Sequence, residues 1–307
     1  MNSIQKYDWP IVGHDKLQKF LKQSIANQTL AHAYLFHGHE TIGKFFVATT
    51  FAKTLLCESK EKKPCQVCKN CQQIDKGIYS DLFIIERLFD EKKKQYKKNI
   101  SVEQIRDLIK KVNNRSFLNS YKIVIIKEAD KLSITASNSL LKTLEEPTDK
   151  TIFVLLTTNK DLLLPTILSR TQHLKFLPIS FDHIYENLVK LGCDRVKAKQ
   201  IARISFGSLS RARQLFEDNQ LFIEYKEKIN KFCELMTGNL IEKFKYVDNL
   251  ILQNKKSDDL ILELNHWNIF LRDILLVNNF SDEKVSNLFI LEKLQKNKNN
   301  IENKKIL

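Results

Sequence analysis

No apolar run in the 307 residues approaches the ~20 that a membrane span requires. The N-terminal stretch "MNSIQKYDWP" has no apolar signal-peptide core. Both absences predict a cytosolic (cytoplasmic) protein with no membrane partner. Proline is missing from every position after Pro178, so nothing in that part of the chain forces a helix to stop. Arginine is scarce, nine residues against 41 lysines. With lysine as the default cation, each arginine is more informative.

Positive charge, in contrast, is plentiful. The formal net charge is +14, which suits nucleic acid or an acidic partner. The lysines are also scattered along the whole chain, as in the tail "LQKNKNNIENKKIL", and that pattern equally suits a surface kept solvated. Apolar residues at 43% and charged residues at 28% are globular proportions. The length allows two or three domains, each with its own core.

Continuous apolar runs at residues 81–86, 122–130 and 151–159, with "AHAYLFHG" before them and a shorter "QHLKF" after, predict parallel strands, the inner ones buried on both faces. Amphipathic patterns alternate with them: "HDKLQKFLKQSIANQ", "GKFFVATTFAKTLLC", "SVEQIRDLIKKV" and "ASNSLLKTLEE". Strands alternating with helices give an α/β domain with a parallel sheet over residues 1–177. Beyond it the chain reads as helices throughout: a small helical domain at 178–218, then a helical bundle at 219–307 with a frayed end.

"CESKEKKPCQVCKNC" sets Cys57, Cys65, Cys68 and Cys71 at C-x7-C-x2-C-x2-C. Each x2 spacing lets a turn aim two sulfurs at one ion, so the insert at 57–71 predicts a tetrahedral structural Zn²⁺. Soft sulfur ligands would also serve an iron–sulfur cluster, whereas disulfides do not suit a reducing cytosol. Cys193 and Cys233 stand alone in helical stretches and read as core residues.

"HGHETIGKFF" places Gly38, Gly43 and Lys44 on the G-x-x-x-x-G-K frame of a phosphate-binding loop, between a strand and a helix as that loop requires. Phe45, however, stands where a Ser or Thr hydroxyl would ligate Mg²⁺. The third strand ends "VIIKEAD", so Lys127 occupies the first place of an acidic pair that would support Mg²⁺ and polarise water. Together the two departures argue against ATP hydrolysis at this site. The glycine loop and Lys44 retain groups that cradle phosphate oxygens, and the expectation is weak or absent ATP binding. Asn159, at the end of the fourth strand, has the position of a water-orienting side chain.

Arg170 follows the Pro-started helix "PTILSR" at a turn before the last strand. Such a residue is either a helix-terminal surface cation or an arginine finger reaching a neighbour's γ-phosphate, work that suits a planar guanidinium.

"IVGHDKLQKFLKQSI", "AHAYLFHG", the four-cysteine insert, "KIVIIKEADKLSITASNSLLKTLEEP" and "LLPTILSRTQ" together resemble the clamp-loader subunits of bacterial DNA polymerase III, over about residues 1–215. The last third is similar mainly in its helical character. The resemblance implies an AAA+ fold: a P-loop-type α/β domain, a small helical lid and a C-terminal all-α collar that joins a ring of subunits. It implies zinc on Cys57, Cys65, Cys68 and Cys71. The family's Ser-Arg-Cys finger falls on Ser169, Arg170 and Thr171, with Thr in place of Cys. Phe45 and Lys127 fit the delta-prime type, a stator with a defective loop, better than the hydrolysing gamma/tau type. The implied partners are the gamma/tau and delta subunits and, through the assembly, the sliding clamp and primed DNA. "SFGSLSRARQL" resembles the lid's sensor region, where Arg211 or Arg213 would face a nucleotide. Two rival readings are an active gamma/tau-like ATPase and a stand-alone DNA-binding protein.

Overall fold

The computed structural model describes residues 6–113, 121–148, 150–253 and 257–296. The expected fraying of the tail falls on residues outside that set. The chain forms two compact units, Met1–Ile179 and Ser180–Leu307.

In the first unit the elements run β1 (Lys6–Tyr7), α1 (Asp15–Ala26), β2 (Ala33–His37), α2 (Lys44–Leu56), β3 (Lys62–Lys63), α3 (Lys69–Asp75) and β4 (Leu82–Ile85). They continue with β5 (Phe89–Asp90), β6 (Gln95–Tyr96), α4 (Val102–Asn113), β7 (Lys122–Ile126), α5 (Ile134–Glu145), β8 (Thr151–Thr157), α6 (Pro165–Leu168) and β9 (Gln172–Lys175). Five strands make one sheet in the order β4-β7-β8-β2-β9, and every pairing is parallel.

Alternation along the strands supplies two cores. Tyr34, Phe36, Ile123, Ile125, Val154 and Leu156 point to one face, where they meet Leu21 of α1 and Val47 and Phe51 of α2. Leu35, Val124, Ile126, Phe153 and Leu155 point to the other, against Ile105 and Leu108 of α4 and Leu140 and Leu144 of α5. Burial on both faces is why these strands read as unbroken apolar runs. The result is a three-layer α/β sandwich, and in such open sheets ligands gather at the carboxyl ends of the strands.

The second unit contains α7 (Phe181–Lys190), α8 (Arg195–Ile204), α9 (Leu209–Glu217), α10 (Asn219–Thr237), α11 (Leu240–Gln253), α12 (Ser257–Asn278) and α13 (Leu291–Lys296). Several of its helices start on side-chain caps. Ser180 accepts from His183 N, Asp194 from Val196 N and Lys197 N, and Asp218 from Gln220 N and Leu221 N. Phe232 stacks on Trp267 at 4.0 Å and packs beside Phe270, joining α10 to α12. The buried Asp273 carboxylate accepts from Ser286 N, Asn287 N and Asn287 Nδ2 at 2.8–2.9 Å, which fixes the turn after α12. No helix among the described residues is long and apolar enough to cross a membrane.

Candidate functional site

The glycine loop joins the carboxyl end of β2 to the start of α2, the place the spacing predicts. Gly38 is at φ 149°, and a Cβ there would come within 2.5 Å of Phe176 O, so only glycine fits between β2 and the segment after β9. Gly43, at φ 95°, turns the chain into α2. Lys44, only 9% exposed, bends back and donates from Nζ to Gly38 O and His39 O, both at 2.5 Å. Burial pushes its pKa down, against the pull of Glu40 and Asp130. The loop's cation is therefore held by the loop's own carbonyls.

Phe45 and Lys127, the two departures from the ATPase pattern, are in contact. The Lys127 ammonium lies 4.2 Å from the centre of the Phe45 ring and forms a 2.7 Å ion pair with Glu86. One step along, Arg87 grips both oxygens of Glu128 at 2.8 and 2.7 Å. Glu128 is the residue that would have served as the water-polarising acid, and both its oxygens are taken. The register pairs Ile85 of β4 with Ile126 of β7, so Glu86-Arg87 continues past one strand where Lys127-Glu128 continues past its neighbour. Sequence reading missed Glu86 and Arg87. Their signal was an acid–base dipeptide at one strand end facing a base–acid dipeptide at another, visible only once the strands are known to be adjacent.

The side chain of Asp130 is largely covered and accepts from Thr157 Oγ1 at 2.6 Å. Asn159 accepts from Asp161 N at 3.0 Å, so its side chain caps a short turn rather than projecting over the loop.

The cysteine insert closes into a cluster. The Sγ atoms of Cys57, Cys65, Cys68 and Cys71 all lie within 4.8 Å of one another. Backbone N–H groups are aimed at the sulfurs: Cys65 N at Cys57 Sγ (3.4 Å), Cys68 N at Cys65 Sγ (3.3 Å) and Cys71 N at Cys68 Sγ (3.5 Å). Such donors stabilise thiolates. Burial raises Cys57 and Cys71. At Cys65 burial is outweighed by N–H donation from Val67 and Cys68 and by the neighbouring thiols, and its pKa falls to about 6. Four sulfurs at this spacing fit one metal ion with all its positions filled by protein. Cys193 and Cys233 are buried and apart from the cluster, as expected.

Arg170 stands elsewhere. β9 runs from Gln172, beside Tyr34, to Lys175, beside His37. Arg170 therefore precedes β9 at the amino edge of the sheet, while the glycine loop lies past its carboxyl edge, roughly 15 Å away at the rise of a strand. The side chain is 33% exposed and pairs with Glu145, at the end of α5, at 2.6 Å. Its Nη1 also donates to Thr166 O (3.0 Å) and Ser169 Oγ (3.2 Å). Arg211 is packed inside the helical unit, 5.5 Å from the Phe206 ring and 5.9 Å from Tyr225, and burial lowers its pKa.

The family model described as DNA polymerase III, delta subunit, matches residues 13–180, almost the whole first unit. DNA polymerase III subunit delta' of Bacillus subtilis (strain 168) is 29% identical over 271 residues, covering 88% of this chain and 79% of its own. Subunit delta' of Pseudomonas aeruginosa is 38% identical over 141 residues, 46% of this chain and 41% of that one. Subunit tau of Bacillus subtilis is 36% identical over 200 residues, 65% of this chain but 33% of the relative, so the chain spans about a third of tau's length.

Proposed function

The chain belongs to the family described as DNA polymerase III, delta subunit, and from that membership we propose that it is a clamp-loader subunit of the delta-prime type, a non-hydrolysing stator. It supplies Arg170 in trans to the γ-phosphate on a neighbouring ATPase subunit while the sliding clamp is placed on primed DNA. One observation carries this reading: Arg170 and the chain's own glycine loop occupy opposite edges of the sheet. A guanidinium at the amino edge, with Ser169 beside it, serves a phosphate only on another subunit.

The loop's chemistry supports the other half. Mg²⁺ needs oxygen ligands, and a ring at position 45 and an ammonium at 127 offer none. That ammonium, fixed by Glu86 and stacked on Phe45, repels a second cation. Arg87 keeps Glu128 occupied. Gly38, Gly43 and Lys44 remain as a degenerate cradle that binds ATP weakly or not at all. The gamma/tau-like alternative would need Mg²⁺ held without these ligands.

Residues 178–218 serve as the lid and 219–307 as the collar. The apolar face of α11 supports the second assignment. Leu240, Ile241, Phe244 (62% exposed), Val247 and Ile251 recur at helical spacing with their side chains in solvent. Such a stripe needs a partner, here the gamma/tau and delta subunits. Cys57, Cys65, Cys68 and Cys71 hold a Zn²⁺ that staples α2 to α3 and has no open coordination position, hence no catalytic part.

Reconstitution with the gamma/tau and delta subunits tests the proposal. Arg170→Ala is expected to leave assembly intact and to lower DNA- and clamp-stimulated ATP turnover, by up to the ~10³-fold or more that a trans arginine supplies. Unchanged turnover would remove Arg170 from the mechanism.

A further inference from the structure

Five of the seven residues from Lys92 to Lys98 are lysine. The segment is part of a β-hairpin between β4 and α4, in which Phe89 pairs with Tyr96 and Asp90 with Gln95. Its turn is well defined. Asp90 Oδ1 accepts from Lys92 N at 3.0 Å and Lys93 N at 3.1 Å, and Lys94 takes the left-handed conformation. Below the turn, Lys97 N donates to Leu88 O at 2.8 Å. One of the hairpin's two acids is thus engaged in shaping the turn.

All five lysines are exposed. Among the described residues, the ammonium groups of Lys92, Lys93, Lys94 and Lys98 make no salt bridge. On the same hairpin two aromatic rings stand in solvent, Phe89 at 53% and Tyr96 at 59% exposure. They meet edge to face at 5.3 Å, and the Arg87 guanidinium lies 5.7 Å from the Tyr96 ring. Arg87 in turn is bound to Glu128 at the end of β7, so the hairpin is tied to the rigid sheet.

We propose that this hairpin, residues 87–98, is a binding site for single-stranded nucleic acid. Closely spaced ammonium groups without protein anions match a backbone of phosphates. Exposed rings supply what a single strand offers beyond charge, the faces of unpaired bases. A duplex hides those faces, and an acidic peptide has none, so neither uses Phe89 and Tyr96. The hairpin follows β4 at the carboxyl edge of the sheet, where Lys127 also lies. A bound strand would run past that edge. None of this depends on the role of Arg170.

The test is titration of the full chain into fluorescein-labelled oligothymidylate, followed by anisotropy over a series of salt concentrations. For the unaltered chain, log K should fall linearly with log salt. Lys93→Glu with Lys97→Glu and Lys98→Glu should make that slope shallower by about 0.7 for each phosphate no longer neutralised. Phe89→Ser with Tyr96→Ser should keep the slope and weaken binding by roughly 5- to 150-fold for each base no longer stacked. Two results would overturn the proposal. One is affinity and slope unchanged in both variants. The other is a duplex or polyglutamate bound as tightly as the oligothymidylate, with no loss on removing the rings.

Discussion

At Phe45 the phosphate loop has a ring in place of a hydroxyl, and at Lys127, the residue after strand β7, an ammonium stands in place of a carboxylate. Each loss is legible in the sequence, because the surrounding frames, G-x-x-x-x-G-K and "VIIKEAD", say what ought to be there. That the two side chains meet at 4.2 Å is not legible. It depends on loop and strand converging at one edge of the sheet, and no local spacing encodes that. The contact makes the two departures one structural unit, with a measurable consequence. In a double-mutant cycle of Phe45→Ala and Lys127→Ala, urea unfolding should give a coupling energy of about 0.5–1 kcal/mol, the size of a cation–π pair near solvent. Strictly additive effects would mean that the ring and the ammonium are neighbours without being partners. Arg170 shows the opposite balance. Its residue type and its place after "PTILS" singled it out, but its present partner, Glu145, comes from the end of a different helix and left no mark in the local pattern.

Among the elements, those that bury both faces or one clean stripe were the easiest to read. All five strands of the sheet fall inside their predicted runs, and β2, β7 and β8 were the plainest, because a strand enclosed on both sides has no polar positions to blur it. The β5–β6 hairpin was missed for the complementary reason. Its strands are two residues long and bury neither face, so lysine-rich sequence there reads as solvated loop. The cysteine insert was legible from its spacing alone, and metal removal tests it. Cys68→Ser should abolish stoichiometric zinc in metal analysis and loosen the link between α2 and α3, seen as faster amide exchange over residues 57–75. Full metal occupancy in that variant would count against a four-ligand site.

The helical unit carries its own pH signature. Glu263 of α12 accepts from Tyr246 of α11 at 2.7 Å and from Lys228 of α10 at 3.0 Å, with His266 beside it. His266 first, then Tyr246 and Lys228, hold its pKa at about 2 against burial, from an ordinary 4.5. A carboxylate depressed on folding stabilises above its unfolded pKa, and that stability is lost as pH falls from about 4.5 towards 2. With allowance for solvent screening the loss is about 1–2 kcal/mol. Glu263→Gln should flatten the acid limb of a stability–pH curve in that window. An unchanged limb would place the acid sensitivity elsewhere.

On the scale of the whole molecule, the parts to which a function is proposed are spread over the edges of one sheet and the face of one helix. The carboxyl edge carries the altered loop and the lysine hairpin, the amino edge carries Arg170, and α11 offers an apolar stripe to its surroundings. A chain that kept its own catalysis would be expected to hold its ligands at one edge. This one has its glycine loop at one edge and Arg170 at the other, a division that supports the proposed role of completing a neighbour's site. The parallel register of β2 and β9 locates it.

The most direct measurement is ATP turnover in two arms of one assay, the chain alone and the chain reconstituted with the gamma/tau and delta subunits, each with and without Arg170→Ala. The prediction is no turnover by the chain alone in either form, and a large fall on Arg170→Ala in the assembly, with the subunits still bound to one another. Turnover by the chain alone that disappears with Lys44→Ala, together with an assembly indifferent to Arg170→Ala, would contradict it.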